Sequence, residues 1–113
     1  MKATTHVLDL PDVIATYWAA ANAGRIEEAS ACFSRDAAVH DEGQCHQGTS
    51  AIRTWIEETT RQYHPIVEPL RSEENAGRHF VTARVSGTFP GSPVELDYVF
   101  TLRDQHIINL EIQ

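Results

Sequence analysis

The spacing of apolar residues changes at Pro65, and this change constrains the fold more than any other feature of the chain. Before Pro65, apolar residues recur at helical intervals, whereas after it they alternate with polar residues, as in strands with one buried face. Turns rich in Gly, Pro, Asn and Asp divide the second half into four predicted strands: residues 66–74, 78–88, 94–102 and 106–112. Helices followed by strands predict an α+β fold with an antiparallel sheet.

Three helices are predicted before the sheet, at residues 10–23, 26–33 and from Thr49 or Ser50 to about His64. Asp9 can cap the first helix, and Thr49 or Ser50 can cap the third. A first strand, at residues 38–42, is predicted between the second and third helices and is followed by a loop at residues 43–48. Alternation along this strand places Val39 and Asp41 on one face.

The predicted strand at residues 94–102 has a clear alternation. Tyr98 falls on its apolar face, and Asp97 falls on the opposite face among polar residues. Pro69 places its own strand at an edge of the sheet or at a bulge, because proline cannot donate a hydrogen bond to a neighbouring strand.

The length of 113 residues suits one domain, predicted to span residues 1–113. Nine Lys and Arg against sixteen Asp and Glu give a formal net charge of -7, which opposes nucleic-acid binding. The longest uncharged apolar stretch, residues 13–23, is shorter than the ~20 residues that span a membrane. The N-terminal sequence shows no secretory signal. We therefore expect a cytoplasmic protein without nucleic-acid or membrane partners.

Cysteine and histidine spacing does not indicate a metal or redox motif. We expect Cys32 and Cys45 to be reduced thiols, with Cys32 packed on the second helix. Four potential zinc ligands lie within seven residues, namely His40, Asp41, Cys45 and His46. Because the first two should point to opposite faces of a strand, we expect no metal.

Three stretches of the sequence are typical of one superfamily. They are YWAAANAGRI at residues 17–26, ACFSRDAAVHD at residues 31–41 and GTSAIR at residues 48–53. With these motifs and its order of elements, the chain resembles the nuclear transport factor 2-like superfamily, and most closely its SnoaL-like and ketosteroid isomerase branches. The resemblance implies a cone-shaped barrel, in which three N-terminal helices pack on a strongly curved antiparallel sheet around a hydrophobic pocket.

The resemblance also implies catalytic residues. Tyr17 falls where the isomerases place a tyrosine that stabilises an oxyanion, and Asp41 falls where they place a carboxylate base. The isomerases use a protonated carboxylic acid on the penultimate strand, but here alternation turns Tyr98 inward and Asp97 outward. We also expect no C-terminal extension over the pocket after Gln113. The expected substrate-binding residues are Trp18, Phe33, Val39, Trp55, Ile56, Tyr98 and Phe100.

Three functions remain open. In the first, a cofactor-free isomerase or cyclase acts on a small hydrophobic carbonyl compound, with Asp41 removing a proton and Tyr17 binding the oxyanion. In the second, the domain binds a small molecule or a partner without catalysis, Asp41 accepts hydrogen bonds from loop amides, and the Tyr17 hydroxyl binds a backbone carbonyl. The third, an epoxide-opening hydrolase, requires an inward arginine, whereas Arg84 is predicted on the outer face beside Asp97 or Glu95.

The helices should leave the outer face of the sheet partly bare. An exposed apolar sheet face favours self-association, because a second copy can cover it. We therefore predict a homodimer with Val99, Thr101 and their strand neighbours in the interface, and a small hydrophobic ligand inside each protomer.

Overall fold

Three helices and six strands form the part of the chain that the structure, a computed structural model, describes: residues 9–113. The helices are α1 (Asp12–Asn22), α2 (Ile26–Ala31) and α3 (Thr49–Tyr63). The strands are β1 (Phe33–Asp41), β2 (Gln44–Gln47), β3 (Ile66–Asn75), β4 (Arg78–Ser86), β5 (Val94–Arg103) and β6 (His106–Ile112). The predicted α+β class, with three helices on a curved sheet, is confirmed. The first eight residues of the predicted domain lie outside the described part.

The six strands form one sheet in the order β2-β1-β6-β5-β4-β3. β1 pairs with β6 in parallel, and all other neighbours pair antiparallel. The sheet is therefore mixed, whereas the sequence predicted a wholly antiparallel sheet. A parallel pair requires a long connection, which the chain running through β2, α3, β3, β4 and β5 provides.

Bulges bend the sheet so that it curves without closing. The pairing register shifts at three places, between Phe33 and Ala38, between Pro69 and Arg71, and between Thr101 and Leu102. A bulge bends its strand and increases its twist. Pro69 lies both on the edge strand β3 and at a register shift, as predicted.

β1 starts earlier than the sequence predicts, at Phe33, and α2 ends at Ala31. Phe33 and Val39 are both buried against the helices. This burial extends the strand through a polar segment whose local sequence favours a break. Cys32 consequently lies buried between α2 and β1 and not within a helix.

A short strand, β2, replaces the predicted loop at residues 43–48. Glu42 and Gly43 have positive φ angles of 54° and 75° and form a two-residue turn between β1 and β2. Two consecutive positive φ angles are typical of the turn that connects a tight hairpin. The hairpin places Asp41 directly beside its turn.

The predicted helix caps are not formed. Pro11 and Gly48 occupy the N-cap positions of α1 and α3, and neither helix has a side-chain cap from Asp9, Thr49 or Ser50. Packing of the buried faces therefore fixes these helices.

β5 confirms the predicted alternation. Tyr98 and Phe100 are 5% and 0% exposed. Asp97 faces outward, where it accepts a hydrogen bond of 2.8 Å from Thr82 Oγ1. A phenol, and no carboxylate, therefore points from β5 toward the helices.

Asn22 joins the end of α1 to the edge strand β3. Its Nδ2 donates to Val67 O at 3.0 Å, and its Oδ1 accepts from Val67 N at 2.9 Å. The side-chain amide thus pairs with one backbone unit as a neighbouring strand would. This contact fixes one side of the space between the helices and the sheet.

Gly87 allows α3 and the end of β4 to approach closely. Thr88 N donates to Tyr63 O at 2.8 Å, and a Cβ added at Gly87 would lie 2.5 Å from the same oxygen. Any side chain at this position would force the two elements apart.

We expect Gly87→Ala to lower the free energy of unfolding by about 1–3 kcal/mol, because the added methyl group would overlap a backbone oxygen. Urea denaturation measures this change. The neighbouring Ser86→Ala is the control, and its effect should stay within about 0.5 kcal/mol. Equal stabilities of the two variants would show that α3 and β4 need not approach so closely.

Candidate functional site

A cavity of about 550 Å³ lies between the helices and the inner face of the sheet. Its wall is mostly apolar and includes six aromatic residues: Tyr17, Trp18, Trp55, Tyr63, Phe89 and Tyr98. A cavity of this volume, with few polar groups, has the size and character of a small-molecule site.

Asp41 reaches the cavity from the last position of β1. Strand alternation turns it inward with Val39, and the turn that follows leaves its side chain half-buried. Trp55 Nε1, from α3, donates a hydrogen bond of 3.0 Å to Asp41 Oδ2. The structural alternative for Asp41 was that it accepts hydrogen bonds from the backbone amides of residues 43–48. No such bond is formed within residues 9–113.

Tyr17 and Tyr98 bring two phenol groups to the same cavity from α1 and β5. Among residues 9–113, neither hydroxyl has a hydrogen-bond partner, and no fully buried side-chain oxygen or nitrogen is left without one. Both hydroxyls must therefore reach the cavity surface. The structural alternative for Tyr17, a bond to a backbone carbonyl, is not formed within these residues.

The two phenols lie within the electric field of Asp41. Burial raises the pKa of Tyr17 well above its ordinary value of 10.0, and the charges of Tyr98, Asp41 and Cys32 raise it further. Burial, followed by the charge of Asp41, raises the pKa of Tyr98. Both phenols are therefore protonated at neutral pH, and each can donate a hydrogen bond to a ligand oxygen.

The structure separates the nine predicted site residues into two groups. Six line the cavity: Tyr17, Trp18, Asp41, Trp55, Ile56 and Tyr98. The other three, Phe33, Val39 and Phe100, are buried core residues that do not line this cavity, and their expected contact with a ligand stays a prediction.

Two of these core residues pack against aromatic rings of the cavity wall. Phe33 packs edge-on against the Tyr17 ring with 5.2 Å between centroids, and Phe100 packs in the same way against Trp18 at 5.3 Å. These contacts fix the orientation of rings that do face the cavity.

Several wall residues were not predicted from the sequence, including Glu42, Asn22 and Phe89. Glu42 lies in the turn of the β1–β2 hairpin, so only recognition of that hairpin in the sequence could have found it. Asn22 gave one signal, a lone amide in a run of alanines near the end of α1. Phe89 follows β4 in a segment without a regular pattern.

The residues lining the cavity, within the described part of the chain, include acidic but no basic ones. Asp41 and Glu42 line the cavity, and no Lys, Arg or His among residues 9–113 does so. Arg84 lies on the exposed outer face and pairs with Glu68 at 3.2 Å, not with the predicted Asp97 or Glu95. Within the same residues, no three His, Cys, Asp or Glu side chains are grouped closely enough to hold a metal ion.

The raised phenol pKa values predict a loss of stability at alkaline pH. Above pH 10.0 the unfolded chain releases the phenol protons that Tyr17 and Tyr98 retain when folded. The folded state then binds more protons, so the free energy of unfolding falls as pH rises. We expect Tyr17→Phe to flatten this fall in urea denaturation between about pH 8 and 11. An equally steep fall in the variant would contradict the burial of an ionisable phenol at this position.

Comparison with known proteins places the chain in a family. The family model described as a SnoaL-like domain matches residues 14–109. No curated protein matches the chain. No helix within residues 9–113 is long and apolar enough to cross a membrane.

Solved structures share the fold over most of the chain. A candidate polyketide cyclase from Sinorhizobium meliloti is 43% identical, with a TM-score of 0.90 and coverage of 93% of this chain and 96% of that one. A hypothetical protein with a ketosteroid isomerase-like fold from Catenulispora acidiphila, in complex with trimethylamine, is 16% identical, with a TM-score of 0.81 and coverage of 91% and 85%.

A third structure is the epoxide hydrolase/cyclase-like enzyme SalBIII, which has a role in pyran ring formation in polyether salinomycin. It is 17% identical, with a TM-score of 0.78 and coverage of 89% of this chain and 86% of that one. At such identities the last two structures show the fold alone. The shared architecture is the nuclear transport factor 2-like fold, and from the family match the chain belongs to the SnoaL-like domain family.

Proposed function

We propose that the protein is a cofactor-free isomerase or cyclase that acts on a small hydrophobic carbonyl compound. One observation carries the proposal: a carboxylate and two protonated phenols share one mostly apolar cavity. Proton removal beside a carbonyl requires a base and donors for the oxygen that becomes negative. Asp41 is the proposed base, and Tyr17 and Tyr98 are the proposed donors.

The proposed reaction begins when Asp41 takes a proton from the carbon next to the substrate carbonyl. The electron pair of the broken C–H bond forms the enolate, whose oxygen accepts hydrogen bonds from the two phenols. In an isomerisation, Asp41 returns the proton to another carbon. In a cyclisation, the enolate carbon attacks a second carbonyl carbon, and Asp41 returns the proton to the resulting alkoxide. No electrons are gained or lost, so neither reaction needs a redox cofactor.

Trp55 is a positioning residue in this scheme. Its bond to Asp41 Oδ2 fixes one carboxylate oxygen and leaves the other available to the substrate. Trp18 and Ile56 contribute apolar wall against which a hydrophobic substrate can pack. Removing water from such a surface favours binding by about 25 cal/mol per Å² of apolar area.

Tyr98 takes the place of the carboxylic acid that isomerases use on the penultimate strand. A carboxylic acid donates a hydrogen bond only if its surroundings hold it protonated. A phenol is protonated at neutral pH without such help. The chain can therefore supply two donors although Asp97 faces outward.

The 43% identical structure named as a candidate polyketide cyclase supports cyclisation as the reaction. The name of SalBIII bears on the third function considered from the sequence, epoxide opening. That reaction would need an inward arginine, and Arg84 lies outside in its pair with Glu68. We therefore favour carbonyl chemistry, with non-catalytic binding of a small molecule or partner as the alternative that the next experiment tests.

We expect Asp41→Asn to abolish proton transfer while the fold remains intact. The assay is deuterium exchange at C1, the benzylic α-carbon of 2-tetralone, which is a hydrophobic ketone with a fused aromatic ring; NMR in D₂O monitors the exchange. A general base contributes about 10²–10⁴-fold, and the variant should lose an acceleration of this size. Asp97→Asn, the same change on the outer face, is the control. If the wild-type protein does not accelerate the exchange, the non-catalytic alternative is favoured.

We propose that the protein forms a homodimer in the cytoplasm through the outer face of the sheet. Val99 and Phe80 are paired neighbours on this face, and Phe80 is 36% exposed. An isologous contact between two such faces would cover these side chains.

Sedimentation velocity tests the dimer. We expect the wild type to sediment at about twice the chain mass of 12.6 kDa. Val99→Lys should give a monomer, because a dimer would bury two unpaired charges. Thr54→Lys on the exposed face of α3 is the control and should remain dimeric. A monomeric wild type would contradict the proposal.

A further inference from the structure

The charge of the cavity wall restricts which ligands it can bind. Asp41 and Glu42 both line the cavity, and no Lys, Arg or His among residues 9–113 lines it. A charged ligand that leaves water must find compensation inside the protein. This wall offers compensation to a cation and repels an anion.

Three aromatic side chains lie near the carboxylate of Asp41. Trp55 donates its indole N–H to Oδ2, and Tyr17 and Tyr98 are close enough for the charge of Asp41 to act on both phenols. Trp18 packs edge-on against Tyr98 with 5.2 Å between ring centroids. A group that contacts Asp41 from inside the cavity therefore also meets aromatic rings.

A carboxylate among aromatic rings suits one class of ligand in particular. The faces of aromatic rings attract cations, and such rings recognise quaternary ammonium groups in proteins. Methyl groups on the nitrogen spread the charge and weaken its hydration, so a methylated ammonium loses less on leaving water than a bare metal cation. The same methyl groups pack well against apolar wall.

We propose that the cavity is a binding site for organic ammonium ions, with a methylated nitrogen held beside Asp41 and against the surrounding rings. This inference concerns ligand charge and goes beyond the proposed reaction. An ammonium ion beside Asp41 occupies the position where a substrate would give up its proton. Such ions should therefore compete with carbonyl substrates.

Three probes of nearly equal shape and different charge test the proposal: choline, neutral 3,3-dimethyl-1-butanol and anionic 3,3-dimethylbutanoate. Trp18 and Trp55 are the only two tryptophans of the chain, and both line the cavity. Tryptophan fluorescence and calorimetry can therefore both follow binding. We expect choline to bind at least tenfold more tightly than the alcohol, and the carboxylate to bind more weakly than either.

Matched variants assign the charge preference to Asp41. In Asp41→Asn we expect choline affinity to fall at least fivefold while the affinity for the alcohol is unchanged. Glu42→Gln should weaken choline binding by a smaller factor, which provides a second test if the first variant folds poorly. Asp97→Asn removes the same charge from the outer face and should leave all three affinities unchanged.

Two outcomes would overturn the proposal. They are equal binding of choline and the alcohol by the wild type, or a loss of choline affinity in Asp97→Asn as large as in Asp41→Asn. The test is independent of turnover. Choline binding without α-proton exchange would remove the proposed reaction and keep this site, whereas exchange without a charge preference would do the reverse.

Discussion

The hydrogen bond between Trp55 Nε1 and Asp41 Oδ2 is the interaction on which the cavity depends. It joins α3 to the end of β1 and holds a carboxylate in mostly apolar surroundings, where a charge without a partner would be costly. The bond offsets part of this cost, and the open mouth of the cavity leaves Asp41 half-buried, which offsets more. Without the bond from Trp55, nothing else among residues 9–113 would hold the Asp41 side chain toward Tyr17 and Tyr98, because no other hydrogen bond to the carboxylate is formed there.

Strand alternation accounts for the part of the site that could be predicted from the sequence. Because side chains on a strand alternate with a period of two, one decision about which face is buried orients every residue. That reasoning placed Asp41 inward on β1, and on β5 it placed Tyr98 inward and Asp97 outward. Tyr17 was identified by the family resemblance, because helical periodicity alone marks it only as a core residue.

The remaining features depend on contacts that are distant in sequence. β1 extends back to Phe33 because burial and pairing with β6 outweigh a locally polar segment. Phe33 and Phe100 were expected in the cavity wall, but core and wall use the same apolar side chains, and only the curvature of the sheet separates them. Asn22 and Gly87 gave little local signal, because their partners, Val67 and Tyr63, lie on other elements.

The negative charge of the cavity raises a question about the proposed reaction, since an oxyanion should form poorly beside carboxylates. The proton transfer itself resolves it. When Asp41 accepts the substrate proton it becomes neutral, and the charge that leaves it arrives on the substrate oxygen, so the total charge within the cavity is constant. The two phenols are neutral donors whose hydroxyl groups have no hydrogen-bond partner among residues 9–113, so both can donate to the new oxyanion. A positively charged donor would bind Asp41 before the reaction and weaken it as a base. A cavity with phenols and no cations is therefore consistent with a carboxylate that must remain free to accept a proton, and the same cavity attracts organic cations.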